Sequence, residues 1–403
     1  MKTLYYTVFS VCIMAACQSS TATNELGEQY RGVLQSPGGE LAFPIYIDKD
    51  GEELNGYVIN GADTAAFTDI VRFGDSVRFS FSHYDSHLQA SVDEFGSLRG
   101  EWYRFVADGE RISMPFKAKS GNYRYRNTSA GAPSAFEGEW EVTYESGSPA
   151  RGMFTASDGA LFGTFLTEIG DHRFLEGTYT DSTFILSAFD GAFALLYYAE
   201  LQPDGTLTGD FWSRDTAHEA WTAQQSDAPA ASDPFGRQPV VAGHSRVEFS
   251  FPDINGNIVS HEDERFQGKP LLLYLFGSWC PNCADETRLL RELYDEFSGT
   301  DLEIVGLAYE YTGDFDRDAE MVGRYKERFD IPWTLLVAGS SDKEEAAETL
   351  PFLDEVIAYP TALFIEKDHS INAIHTGFNG PGTGSYYFQE VNRYTNKINE
   401  ITQ

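Results

Sequence analysis

The sequence predicts two domains of different class: an N-terminal all-β antiparallel barrel or sandwich built from an internal repeat, and a C-terminal α/β domain. Three observations predict this. From Tyr30 to about Ala223, aromatic and β-branched residues alternate with polar ones, and Gly-containing turns recur at roughly 8–12-residue spacing. One part of that region repeats another. From Arg246 onward, continuous apolar runs alternate with stretches of helical spacing, the grammar of an α/β fold.

At 403 residues the chain has room for two or three domains, each with its own core. The net charge is −33, and both halves are acidic. Such a chain repels nucleic acid and anionic membrane surfaces, so no nucleic-acid partner is expected. Residues 1–17 read as a signal segment: Lys2 precedes the apolar run Leu4–Ala16, which is too short to span a bilayer. The run ends Met14-Ala15-Ala16-Cys17, which resembles the lipobox of bacterial lipoproteins, with Met at the position usually taken by Leu. That resemblance implies lipidation of Cys17, a lipid anchor and a polar tether over 18–26. Of the four cysteines, Cys12 leaves with the signal and Cys17 carries lipid. Only Cys280 and Cys283 then remain, outside the cytoplasm, where disulfides persist. Nothing else in the sequence reads as a membrane span.

The β region covers 27–225. Strands such as Val77–Ser82 and Phe184–Phe189 are punctuated by Pro37-Gly38-Gly39, Asp50-Gly51, Asp158-Gly159 and Asp190-Gly191. Residues 75–103 align with 181–212, and 45–58 with 153–166, giving repeats of about 27–126 and 134–225 with a seam near Asn127–Ser134. Closing such strands into a barrel or sandwich removes exposed edges, and a barrel mouth can hold a small ligand. Asp48–Glu52 lacks the spacing of a calcium loop and reads as a hairpin turn. His83 and His87 are expected to point apart, in surface positions. Residues 226–245 read as a linker, rich in Pro, Ala, Ser and Asp.

The domain at 246–403 opens with a hairpin across Asn255-Gly256. Leu271–Phe276, all apolar, suits a central strand buried on both faces. Leu289, Leu290, Leu293 and Phe297 then recur at helical spacing behind Trp279-Cys280-Pro281-Asn282-Cys283. Further strands are expected at 302–309, 333–337, 360–365 and 371–374, and helices at 318–329, 343–350 and 386–401.

A lone Cys-x-x-Cys can be half a zinc site, a structural disulfide or a redox centre. Zinc needs about four ligands, and no second cysteine pair or suitably spaced histidines exist, so no metal is expected. A loop this short gives a disulfide little entropic leverage. A strand, a turn and then a helix starting at the cysteines put Cys280 where unpaired N–H groups stabilise a thiolate, with Cys283 one turn in. The redox reading is preferred, with the Cys280–Cys283 disulfide as the only redox group and no added cofactor. Asp314–Asp318 has Ala319 where a calcium loop needs Gly and reads as a solvated acidic loop. The glycine-rich 377–385 lacks a P-loop Lys and reads as a loop near the active face.

The hairpin at 252–260, the buried strand before Ser278–Cys283, Glu286 and Tyr359-Pro360-Thr361 together resemble the TlpA/ResA-like family of thioredoxin-fold thiol–disulfide oxidoreductases. The resemblance covers nearly all of 246–403. It implies that Cys280 is the nucleophile, Cys283 the resolving thiol, Glu286 a raised-pKa acid near the resolving thiol, and Pro360 a cis proline facing the disulfide. Trp279, Pro281, Tyr359 and Thr361 would face substrate. Tyr274 stands where ordinary thioredoxins carry a buried Asp, which shifts weight to Glu286, with Glu310 as a weaker second acid. The implied activity is a periplasm-facing reductase of protein disulfides, with protein thiol/disulfide substrates and a membrane electron donor. Two other functions stay open: a ligand- or partner-binding β-domain with an accessory redox domain, and a peroxiredoxin-like peroxidase.

Overall fold

The computed structural model describes residues 25–51, 53–106, 110–125, 134–227 and 233–403. The expected signal segment, Cys17 and most of the tether lie outside the described residues, as do most of the seam and part of the linker.

The alternating sequence of the N-terminal half folds into two antiparallel meanders. The first comprises β1 (Gln29–Ser36), β2 (Gly39–Asp50), β3 (Glu53–Asn60), β4 (Asp63–Ala66), β5 (Asp69–Phe73), β6 (Ser76–Phe81), β7 (Ser86–Val92), β8 (Leu98–Phe105) and β9 (Arg111–Ser120). The second comprises β10 (Gly138–Tyr144), β11 (Pro149–Ser157), β12 (Ala160–Thr167), β13 (Gly170–Asp171), β14 (Leu175–Tyr179), β15 (Thr183–Phe189), β16 (Ala194–Leu201), β17 (Leu207–Ser213) and β18 (Ala217–Gln225). Each meander returns its last strand to its first, β9 beside β1 and β18 beside β10, so the two repeats share one strand order. They differ at closure. In the second, β12 pairs with both β11 and β14, and eight strands form a closed barrel. In the first, no ladder joins β3 to β5, and the nine strands remain an open half-barrel.

The barrel covers the open sheet. Phe189, at the end of β15, stacks on Phe43 at 4.4 Å and meets Trp102 and Phe81 edge-on. The buried Arg124 guanidinium donates to the carbonyl oxygens of Ala42 and Ile59 on the half-barrel and of Ser187 on the barrel. Exposed main-chain groups at the opening are thereby satisfied. The barrel interior is filled by Phe165, Tyr197, Trp221, Phe184 and Trp140, with Phe165 and Tyr197 stacked 3.9 Å apart. It is a packed core rather than a ligand cavity.

The α/β domain begins with β19 (Ser250–Pro252) and β20 (Ile258–Ser260). It continues with β21 (Leu271–Phe276), α1 (Pro281–Glu296), β22 (Glu303–Glu310), α2 (Phe315–Arg328), β23 (Thr334–Ser340), α3 (Lys343–Glu348), β24 (Thr361–Ile365), β25 (Ile371–Thr376) and α4 (Ser385–Thr402). The sheet order is β23-β22-β21-β24-β25. β21 is central, parallel to β22 and antiparallel to β24, with all six side chains buried. Each buried Leu there contributes about 1.5–3 kcal/mol, which anchors the turn that follows it. This is a thioredoxin-like fold, in keeping with the α/β reading of the sequence. No helix among the described residues is long and apolar enough to cross a membrane.

Three local expectations need correction. His83 is buried, because the 3-10 turn Ser82–Tyr84 docks on the α/β domain, its imidazole edge-on to Phe329 at 6.1 Å. Asp318 is not in a solvated loop: α2 starts at Phe315, capped by Asp314, and buried Asp318 accepts from the Thr312 hydroxyl at 2.5 Å. The described part of the linker is not free either, since Phe235 bridges His375 and Val240 bridges Leu353.

Candidate active site

α1 starts immediately after the turn Gly277–Trp279. Pro281 occupies its first position, where a missing N–H costs nothing. Cys280 is the N-cap, and its sulfur accepts from the Cys283 N–H at 3.2 Å. The positive end of the helix therefore points at Cys280, the environment that stabilises a thiolate. Cys280 and Cys283 form a disulfide. Cys280 is 5 % exposed and lines a cleft, whereas Cys283 is 0 % exposed and does not line it. Attack from or on an outside molecule is thus open to Cys280 alone of the two.

Neighbouring groups fix this turn. Trp279 donates from Nε1 to the Tyr309 carbonyl oxygen at 2.9 Å, and its ring stacks on Tyr311 at 4.7 Å and meets Tyr359 edge-on. The Tyr359–Pro360 peptide bond is cis, and the Tyr359 carbonyl oxygen lies 3.7 Å from Cys280 Sγ. Thr361, expected to face substrate, is fully buried. Its hydroxyl donates to the Ala358 carbonyl oxygen at 2.8 Å, so it closes the turn around Pro360 instead of lining the cleft. Trp279, Pro281 and Tyr359 do line it. At the expected Asp position, Tyr274 is buried and accepts from Trp333 Nε1 at 3.2 Å.

Two buried acids flank the disulfide. Glu286 lies three residues beyond Cys283, on the same side of α1. Its Oε1 accepts from Tyr394 Oη of α4, and its Oε2 has no hydrogen-bond partner. Burial raises its pKa to about 8, opposed by the Tyr394 hydrogen bond and assisted by Glu390. Glu310, at the end of β22, accepts from the Ser278 N–H and hydroxyl, both at 2.7 Å. Burial also pushes it up to about 8. Its place is behind the turn, holding the residues just before Cys280. On the other side of Cys283, Tyr325 Oη donates to the Cys283 carbonyl oxygen at 3.1 Å and pairs with the Thr287 hydroxyl at 2.7 Å.

The β-domain completes the site, which the sequence did not reveal. The turn between β12 and β13 lies directly on the start of α1: a Cβ added to Gly170 would sit 1.9 Å from Asn282 Nδ2. Next to it, Ile169 abuts Gly377 of the glycine-rich loop, where a Cβ would meet its backbone at 2.9 Å. Buried Arg173 ties three bodies together. It pairs with Asp63 of the half-barrel at 2.9 Å, Asp190 of the barrel at 3.2 Å and Asp285 of α1 at 3.3 Å. Asp171 is fully buried with both carboxyl oxygens unpartnered, and burial together with Asp285 raises its pKa to about 8. The available signal was the break in alternation at Gly170-Asp171-His172-Arg173, three ionisable residues in a row where a half-buried strand should carry one in two. The result is a cleft of about 510 Å³ lined by Cys280, Tyr311 and Trp279 together with His172, Phe211 and Arg104 from the β-domain.

The C-terminal domain is similar to known proteins. A family profile described as "AhpC/TSA family" matches residues 242–374. Thiol-disulfide oxidoreductase ResA of Bacillus thuringiensis subsp. konkukian is 25 % identical over 129 residues, 32 % of this chain and 66 % of that protein. Thiol:disulfide interchange protein DsbE of Vibrio cholerae is 32 % identical over 80 residues, 20 % of this chain and 41 % of that protein. Among solved structures, a thiol-disulfide oxidoreductase from Bacteroides fragilis aligns with a TM-score of 0.29 at 20 % identity, covering 36 % of this chain and 98 % of that one. The chain thus spans just under two-thirds of the length of its ResA relative and adds the β-domain in front. Residues 242–374 are thus similar in sequence to the AhpC/TSA family, and the relatives that match this part of the chain are thiol–disulfide oxidoreductases of the ResA and DsbE type.

Proposed function

We propose that this protein is a lipid-anchored, periplasm-facing thiol–disulfide oxidoreductase that reduces disulfides, including protein disulfides, through the Cys280–Cys283 dithiol. The observation that carries the proposal is the asymmetry of the pair: Cys280 opens onto the cleft at a helix N-terminus, and Cys283 is sealed beneath it. In the reducing direction the Cys280 thiolate attacks a substrate sulfur, forming a mixed disulfide and releasing one substrate thiolate. The Cys283 sulfur then attacks Cys280 Sγ, releases the second thiolate and leaves the Cys280–Cys283 disulfide. Two electrons pass to the substrate, and a membrane dithiol donor restores the pair. Glu286, with an unpartnered oxygen and a pKa pushed up to about 8, accepts in its ionised form the proton that Cys283 must lose. The Tyr359 carbonyl beside Cys280 would receive an extended substrate segment. Lipidation of Cys17 would hold the site at the membrane.

The test is disulfide reduction by the full chain and by Cys280→Ser. Loss of turnover in Cys280→Ser supports the assignment, and wild-type turnover refutes it. A peroxidase of the same family would be recognised by consumption of hydrogen peroxide. It would need a Thr and an Arg hydrogen-bonded to the attacking sulfur, whereas the described neighbours of Cys280 Sγ are the Tyr359 carbonyl and the Cys283 N–H.

A further inference from the structure

We infer that the cleft over Cys280 is built for a low-molecular-weight disulfide of amino-acid or short-peptide type, bearing carboxylate and ammonium groups. This rests on the proposed role of Cys280 and names its substrate class. The first argument is access. The turn Ile169–Gly170 sits in contact with Asn282 and Gly377, so the barrel covers part of the surface beside Cys280 and narrows the approach to it. What remains is a cleft of about 510 Å³, within the range of small-ligand sites, roughly 300–1,000 Å³.

The second argument is charge. Arg104, reaching from the half-barrel, lines the cleft at 5 % exposure. It donates from Nη1 to the Ala192 carbonyl oxygen at 3.2 Å, while Nε and Nη2 have no hydrogen-bond partner and no carboxylate pairs with it among the described residues. A buried guanidinium left half-unsatisfied is costly unless something completes it. Its guanidinium carbon lies 5.9 Å from the Tyr311 ring, which stacks on Trp279 beside the disulfide. Arg214 lines the same cleft without an ion pair among the described residues. In a chain of net charge −33, two cations that line the redox cleft without an ion pair among the described residues are a specific feature. Glu168 and Glu219 line the cleft as well, so a zwitterion finds both signs there. A planar guanidinium fork matches a carboxylate in two-point contact.

The chemistry balances as above: the Cys280 thiolate attacks one sulfur of the small disulfide, one thiolate leaves, Cys283 displaces the second, and the chain ends oxidised. The experiment uses the full chain, reduced with dithiothreitol and freed of it. Stopped-flow tryptophan fluorescence follows its oxidation by glutathione disulfide, neutral 2-hydroxyethyl disulfide, dicationic cystamine and the protein disulfides of insulin. The expected order puts glutathione disulfide first, at least about tenfold over the neutral disulfide, as one charge-assisted contact predicts. Arg104→Gln, and separately the more exposed Arg214→Gln, reduce that ratio toward one. Equal rates for all small disulfides, faster reaction with insulin, or an unchanged ratio in both variants would overturn the inference while leaving Cys280 chemistry intact. Failure of reduced Cys280 to react with any disulfide would instead remove the proposed function itself.

Discussion

Arg173→Met probes how the β-domain holds the redox site. The guanidinium faces three carboxylates, Asp63, Asp190 and Asp285, within 3.3 Å, and the Asp190 and Asp285 side chains are themselves no more than 6 % exposed. Removing the cation leaves these acids beside buried Asp171 with no central partner. Breaking a buried pair by deleting one member costs about 3–5 kcal/mol, and here one deletion breaks three contacts, although Asp285 keeps its contact with Arg288. The acids come from three separate bodies, so the strain is relieved by parting the barrel from α1. Accessibility of Cys280 is the direct reading. In the reduced full chain, alkylation by a small iodoacetamide and by a maleimide carrying a bulky polyethylene glycol is timed in wild type and variant. The variant's bulky-to-small rate ratio should rise at least tenfold, and its melting temperature should fall by about 10 °C. Adding Asp285→Asn should restore part of both. An unchanged ratio with an unchanged melting temperature would refute the view that Arg173 clamps the barrel over the site.

Four other outcomes follow from the geometry. Glu286→Gln should slow resolution of a Cys280 mixed disulfide by about a hundredfold and remove a rise in rate centred near pH 8, read by quenched-flow trapping. The same carboxyl is held protonated in the fold and ionised in the unfolded chain. It should therefore lower stability as pH rises from about 4.5 towards about 8, by about 1.4 kcal/mol per pH unit, a slope that denaturant titrations of Glu286→Gln should lack. Gly170→Val would drive a side chain into Asn282 from a backbone at φ +149° and should raise bulky-reagent access to Cys280 without changing the far-ultraviolet circular dichroism. Phe189→Ala should destabilise the β-domain by about 3–5 kcal/mol, because its ring fills the opening of the half-barrel against Phe43 and Trp102.

What the sequence made legible was local. Leu271–Phe276 is apolar throughout because both faces of a central strand are covered, and Trp279–Cys283 sits at a strand-to-helix turn that five adjacent residues define. Glu286 is three residues from Cys283, and Pro360 opens the next strand. The repeat was equally visible, since Asp75–Tyr103 and Asp181–Trp212 keep one pattern of strands and turns. The chemistry contributed by the β-domain was not visible, because it depends on contacts over long separations. Arg173 meets Asp285 across more than a hundred residues, and charged residues in a strand read as solvated whichever way the finished fold turns them. His83 misled for the same reason: a histidine in a turn looks exposed until α2 packs on it. Thr361 was placed with substrate by its neighbour Pro360, although the first residue of β24 points into the domain.

The most direct test of the account is to make Cys283→Ser in the full chain, reduce it, and expose it to a disulfide substrate. Intact mass and peptide mapping then locate any adduct. A single stable mixed disulfide on Cys280, absent when Cys280→Ser is made with Cys283 retained, is the predicted result. An adduct that forms as readily on Cys283 in that second variant would contradict it, because a sulfur sealed below the cleft would then be reacting as the nucleophile.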